Sequence, residues 1–287
     1  MSNIRILISC HKKSDIRHDD IYLPIQVGRA NSCVTLDMIG DDTGDNISAK
    51  NPNYCELTAH YWAWKNLKDV DIVGFCHYRR YFPKSLDAQG IEHLIGGGRY
   101  DVLAIRTSRF SPIHEKWTKY VSPEDLVIMM KVVQRLYPEY TDSLNRFLWG
   151  NQMCSFNMLI MKKDKFDEYA EWLFSILEEC EKYIRLSPYS RGRRVYGYLA
   201  EILMYAYMQH NHLSVRGYNV EECQLQGNPR IMAFKNWMLY RITDVSYFLS
   251  LAWLRKKLQH YNTLDELINR YYLDQVLGLR NDGVNLF

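Results

Sequence analysis

The chain opens on an apolar, β-branched run, Ile4-Arg5-Ile6-Leu7-Ile8-Ser9-Cys10, of the kind found in a buried first strand. It runs into His11-Lys12-Lys13, which places basic groups at that strand's carboxyl end. Ile21 to Gly28 reads as a connecting loop or short strand. Asn53-x-x-Glu56 has capping-box spacing and predicts a helix reaching Asn66, with Glu56 as the cap's N3 partner. Leu57, Tyr61 and Trp64 then recur at i, i+4 and i+7 as a core-facing stripe. Asp71 to Cys76 predicts a strand that delivers His77-Tyr78-Arg79-Arg80-Tyr81 at its carboxyl end. Tyr100 to Ile105 predicts another strand, of parallel-sheet character. Ser122-Pro123-Glu124-Asp125 is a helix start with cap, proline at N1 and acids in the first turn, and that helix extends to Leu136. An aromatic connection leads to Trp149-Gly150-Asn151-Gln152. Met153 to Met161 reads as a strand with Asn157 as its one amide. Phe166 to Cys180 and a segment ending at His210 read as helices.

These elements describe an α/β sheet protein, and the composition shifts once, near Gly227. Met232 to Gln259 carries Trp237, Met238, Phe248, Leu249, Leu251, Trp253 and Leu254 beside Arg255-Lys256-Lys257. The expected division is a main domain over 1–226 and a C-terminal helical extension over 227–287. A basic helix with Trp and Leu on its other face can lie on an anionic membrane surface. A helix packed onto the main domain, or a dimer contact, accounts for the same residues. Oligomeric state is open.

Composition narrows the function classes. A net charge of +3 over 287 residues does not call for nucleic acid as a partner. The seven cysteines, odd in number and without CxxC spacing, point to reduced thiols in the cytoplasm and to neither a disulfide framework nor a zinc site. No signal peptide or membrane span is read from the sequence, so the expected location is cytoplasmic, with peripheral membrane contact as an option. Tyr and Trp are abundant, 22 and 7. Aromatic faces suit the apolar C–H faces of pyranose rings, but they also suit ordinary cores.

In open α/β sheets, ligands bind beyond the carboxyl ends of the strands. His77, Tyr78, Arg79 and Arg80 are therefore candidates for gripping a phosphorylated anion, because guanidinium groups offer fixed bidentate donors to phosphate. Solvated charges just past a strand are the plainer reading. The acidic loop Asp41-Asp42-Thr43-Gly44-Asp45-Asn46 could hold a divalent ion or ribose hydroxyls, or could be Asx-turn structure. Glu201 shares a helix face with Tyr198 and Tyr205, which suits it to an aromatic-lined cleft and to proton transfer.

Three stretches carry a resemblance: LPIQVGRA with MIGDDTGDNISAKNP, CELTAHYWAWKN with GFCHYRRYF, and NQMCSFNMLIMKKDKFDEYAEWLF with RVYGYLAEILMYAYM. Over roughly residues 4–212 the chain resembles an uncharacterised-domain family from bacterial capsule, exopolysaccharide and lipopolysaccharide gene clusters, whose members are taken to be glycosyltransferases. The resemblance implies a GT-A-like (Rossmann-like) mixed, mostly parallel sheet flanked by helices. It implies transfer of a hexosyl unit from a nucleotide sugar, UDP-linked and of galactosyl or galactofuranosyl type, to a glycan or lipid-linked oligosaccharide. Donor-binding residues implied are His11, Lys12, Asp41, Asp42, Asp45, Asn46, His77, Tyr78, Arg79, Arg80 and Asn157. Trp149, Asn151 and Tyr198 would bind the acceptor, and Glu201 or His77 would serve as base. Metal-dependent GT-A enzymes place Asp-x-Asp at the carboxyl end of a central strand. Here Asp69-Val70-Asp71 precedes the strand, so no metal ligands are assigned; manganese or magnesium at the Asp41–Asp45 loop is the alternative. Rival readings are a non-catalytic glycan-binding or assembly protein, and phosphoryl chemistry with His77 as nucleophile.

Overall fold

The computed structural model describes residues 2–108, 113–117, 120–187, 190–222 and Met238. Met238 apart, the extension expected over 227–287 lies outside the described residues, and the membrane-surface reading of Trp237, Phe248 and Trp253 lies there with it.

The strands are β1 (Ile4–Cys10), β2 (Tyr22–Gln26), β3 (Ile39–Gly40), β4 (Ile72–His77), β5 (Arg80–Tyr81), β6 (Val102–Ser108), β7 (Gln152–Lys162), β8 (Val215–Tyr218) and β9 (Glu221–Glu222). They join in the order β3-β2-β1-β4-β7-β6-β8, with β5 set against β4 and β9 against β5. β1 runs parallel to β2 and β4, β2 to β3, and β6 to β8, while β7 lies antiparallel to β4. This is the mixed, mostly parallel sheet expected from the sequence.

The helices are α1 (Asn51–Tyr54), α2 (Leu57–Asn66), α3 (Ala88–Ile91), α4 (Ile113–Trp117), α5 (Pro123–Leu136), α6 (Thr141–Trp149), α7 (Lys163–Glu181), α8 (Ser190–Arg193) and α9 (Val195–His210). The chain forms two compact units. Of the described residues, the first comprises 2–106, 154–175 and 211–222; the second comprises 107–108, 113–117, 120–153, 176–187, 190–210 and Met238.

The first unit holds the sheet, and helices cover both of its faces, which is why β1 is buried along nearly its whole length. Ile4, Ile6, Ile8 and Cys10 pack with Leu86, Ile91, Leu94 and Ile95 from the α3 region. On the other face Phe75 of β4 lies 3.7 Å from the His60 ring of α2 and 4.9 Å from Phe166 of α7, centroid to centroid. Each such side chain contributes about 1.5–3 kcal/mol by burial. Gly74 lets β4 and β7 approach, because a Cβ there would stand 2.7 Å from Ile160 Cγ1.

The described residues of the second unit are mostly helical. Phe147 of α6 packs on Tyr205 of α9 at 5.0 Å, and Trp117 of α4 meets Tyr198 at 5.8 Å. Ser122 caps α5 as expected, its Oγ accepting from the Asp125 N–H at 3.1 Å.

Four local expectations are corrected. The predicted helix start at Asn53 is two helices: α1 ends at Tyr54, Cys55 takes φ 56°, and α2 begins at Leu57. Glu56 sits at the N-cap position of α2 in helical conformation and makes no side-chain cap, so it is not an N3 partner. The buried face of α2 carries Leu57, Thr58, Ala59, His60, Trp62 and Ala63, while Tyr61 and Trp64 are half-buried. The aromatic connection before Trp149 is itself the helix α6.

Candidate functional site

Because β1 and β4 are adjacent and parallel, their carboxyl ends lie side by side, with Ser9 opposite His77. The loop after β1 and the turn after β4 therefore share one space, and the Tyr78 N–H donates to Ser9 O at 3.3 Å. The Tyr78 ring is buried, 5% exposed, and basic side chains gather around it. The His11 ring meets it edge-on at 5.0 Å, Lys12 Nζ stands 5.8 Å away, and the Arg79 guanidinium lies 5.0 Å over it. A cavity of about 500 Å³ opens here, lined by Lys12, Lys13, Ser14, Asp15, Ile16, Arg17, Tyr78, Arg79 and Lys84.

The lining is strongly unbalanced in charge. Among the described residues that line it, Asp15 is the only carboxylate, against Lys12, Lys13, Arg17, Arg79 and Lys84. Arg17 is spent on the wall: its guanidinium donates to Phe82 O at 2.8 Å, pairs with Glu221, and lies 4.5 Å over the Tyr81 ring. Lys12, Lys13, Arg79 and Lys84 are exposed. Clustered cations around a concave, partly desolvated space focus positive potential, which suits a multiply charged anion.

Arg80 departs from its neighbour. It belongs to β5, and its guanidinium lies 4.5 Å over the Phe156 ring of β7. The two arginines thus meet different rings, and only Arg79 lines the cavity.

A second constellation stands beside the first. His77 Nε2 faces Phe156 O at 2.8 Å. A carbonyl can only accept, so Nε2 carries the proton and Nδ1 is the acceptor of the neutral ring. Phe156 and Asn157 both hold left-handed backbone within β7, φ 68° and 52°. Asn157 is 1% exposed, and its Nδ2 donates to Glu56 Oε1 at 2.7 Å. His60, fully buried on Phe75, is pushed down to about 3, first by burial and then by the neighbouring His77. It is a neutral packing group.

The acidic loop is organised by its own side chains. Asp41 is fully buried, and its carboxylate accepts the Gly28 N–H at 2.8 Å, the Arg29 N–H at 3.1 Å and the Ser48 hydroxyl. Asp42 faces Arg29 at 3.7 Å, Asp45 accepts from Tyr61 OH at 3.2 Å, and Asn46 accepts the Ser48 N–H at 3.2 Å. Among the described residues no group of three His, Cys, Asp or Glu side chains is placed to hold a metal ion. Asp71 accepts the Asn3 N–H at 2.7 Å just before β4, the end of that strand opposite His77.

Trp149, Asn151, Tyr198 and Glu201 all belong to the second unit. There Tyr198 packs against Tyr120 at 5.4 Å and carries Arg194 over its ring at 5.7 Å. Trp149 meets His114 edge-on at 4.7 Å, Asn151 is buried, and Glu201 is half-buried on α9. Sequence reasoning did not pick out Arg17, Lys84 or the Glu56–Asn157 contact. The cations were findable, since they continue the two loops that follow β1 and β4.

A family described as "Domain of unknown function (DUF4422)" matches residues 5–212. The chain belongs to the DUF4422 family. No curated protein matches it. Among solved structures, this DUF4422 chain is similar to WbbM, a bifunctional glycosyltransferase in its apo form, at 32% identity and a TM-score of 0.71. The match covers 79% of this chain and 47% of that one, so the chain spans about half the length of WbbM. No helix among the described residues is long and apolar enough to cross a membrane.

Proposed function

We propose that this DUF4422 chain is a glycosyltransferase that moves a hexosyl unit from a UDP-linked sugar, of galactosyl or galactofuranosyl type, to a glycan or lipid-linked acceptor in capsule, exopolysaccharide or lipopolysaccharide synthesis. The observation that carries this reading is the cation-lined cavity at the carboxyl ends of β1 and β4. That position is where open α/β sheets bind ligands, and its charge suits a diphosphate. The likeness to WbbM over 79% of the chain supports transfer over glycan binding alone.

In this reading Lys12, Arg79 and Lys84 hold the donor diphosphate. Departure of UDP develops negative charge on the β-phosphate, and fixed cations there lower the barrier without reorganising. Arg17, already tied to Phe82 and Glu221, supports the wall rather than the ligand. His77 through Nδ1 is the proposed base for the acceptor hydroxyl. The side-chain cations take the role a divalent ion fills in other transferases, so donor binding is expected to survive exhaustive chelation.

The test is isothermal calorimetry with UDP on metal-free protein. Wild type is expected to bind, and Arg79→Ala and Lys12→Ala are each expected to weaken binding by roughly 10- to 100-fold, the worth of a charge-assisted hydrogen bond. Wild-type affinity in both variants, or no UDP binding by wild type, defeats the assignment. Oligosaccharide binding without nucleotide affinity would return the glycan-binding reading.

A further inference from the structure

We propose that Glu56 is the carboxylate that receives the donor's sugar ring, accepting hydrogen bonds from its hydroxyls. The inference rests on the transferase reading above and deepens it.

Glu56 is half-buried and is not used by its own helix: it caps nothing in α2. Its one described hydrogen bond comes from β7, where buried Asn157 Nδ2 donates to Oε1 at 2.7 Å. An amide donor fixes one carboxylate oxygen and leaves Oε2 as an acceptor. Among the described residues no cation pairs with Glu56.

The backbone on both sides of this contact is held in costly conformations. Cys55, immediately before Glu56, has φ 56°, and Phe156 and Asn157 have φ 68° and 52°. None is glycine, and left-handed backbone at such residues costs on the order of 1–3 kcal/mol each. Such strain persists where the surrounding structure over-determines it, and it concentrates at ligand sites.

The strained β7 segment does two things at once. It turns the Phe156 carbonyl to His77 Nε2 at 2.8 Å and hands the Asn157 amide to Glu56. His77 directly precedes Tyr78 and Arg79, which line the cationic cavity. The cations that would hold a diphosphate line the cavity with Tyr78 and Arg79, and His77, the residue before them, leads through Phe156 and Asn157 to Glu56; neither His77 nor Glu56 lines the cavity itself, and each offers an acceptor, Nδ1 and Oε2. Phosphates need donors and hydroxyls offer protons to acceptors, so the arrangement complements a sugar diphosphate.

The experiment compares UDP with UDP-galactose by calorimetry on wild type, Glu56→Gln and Glu56→Asp, with circular dichroism to show intact fold. Glu56→Gln keeps an oxygen for Asn157 but replaces the free acceptor by a donor. UDP affinity is expected to stay within about twofold, while UDP-galactose weakens by roughly 10- to 100-fold. Glu56→Asp keeps the charge and is expected to fall between. Unchanged UDP-galactose affinity in Glu56→Gln overturns the inference and leaves the transferase reading standing. Equal weakening of both ligands also overturns it, since a merely structural Glu56 would produce that. Wild type that binds neither nucleotide overturns both.

Discussion

His60 provides a sharp test of how the sheet's α2-covered face is built. Its ring is 1% exposed, stacked on Phe75 and packed near Phe166, and burial with the neighbouring His77 pushes it down to about 3. The unfolded chain titrates this imidazole near the ordinary value of 6.5. Below that pH the unfolded state binds a proton that the folded state refuses, so stability is fully present above it and is lost as pH falls. Between about pH 7.5 and about pH 5 this single group removes roughly 2 kcal/mol, and the loss continues at about 1.4 kcal/mol per unit until the folded value is reached. Other groups titrate in the same window, so the quantity to measure is a difference. Urea unfolding of wild type and His60→Leu at both pH values should show wild type losing about 2 kcal/mol more than the variant. Imidazole NMR offers a direct check: the His60 resonance should not move across this range. Equal losses in the two proteins, or a His60 resonance that titrates near 6, would refute a dry, neutral imidazole in this layer.

Two further perturbations probe the frame that positions the site. Gly74→Ala places a methyl 2.7 Å from Ile160 Cγ1 and 3.3 Å from Ile6 Cγ1, between strands that cannot separate. Overpacking there should cost about 1–3 kcal/mol by chemical denaturation, and a neutral substitution would show that β4 and β7 can yield. Asp41→Ala strands two backbone N–H groups and the Ser48 hydroxyl in a buried setting. The expected cost is about 2–5 kcal/mol, with faster hydrogen exchange at Gly28 and Arg29, whereas Asp41→Asn keeps an acceptor and should lose less.

The parts of the fold legible in the sequence were those governed by one strong local rule. β1 and β4 read correctly because a strand buried on both faces is nearly continuous in apolar residues, and α5 because Ser122-Pro123 is a cap followed by proline at N1. The α1–α2 break was hidden by a rule that was satisfied on paper. Asn53 and Glu56 have capping-box spacing, but Cys55 takes left-handed backbone that no cysteine announces, and the box never forms. Once Glu56 had an adequate local partner, nothing suggested a partner 101 residues away.

The arginine pair shows a reading that was available but not taken. Arg79 and Arg80 are adjacent, which invites a two-pronged clamp, yet a tight turn between two strands aims successive side chains in different directions. Arg79 sits in the turn between β4 and β5 and lies over Tyr78, whereas Arg80 opens β5 and lies over Phe156. The adjacent arginines therefore meet different surroundings and do not form one clamp. The division has a physical logic. Cations gathered in one cavity repel one another until an anion arrives, and strained backbone around Glu56 and Asn157 persists only because its surroundings hold it. The cations gather at the carboxyl ends of the parallel strands β1 and β4, where open α/β sheets admit ligands, and the strained Phe156–Asn157 segment belongs to the antiparallel strand β7, whose Phe156 carbonyl meets His77 at the end of β4.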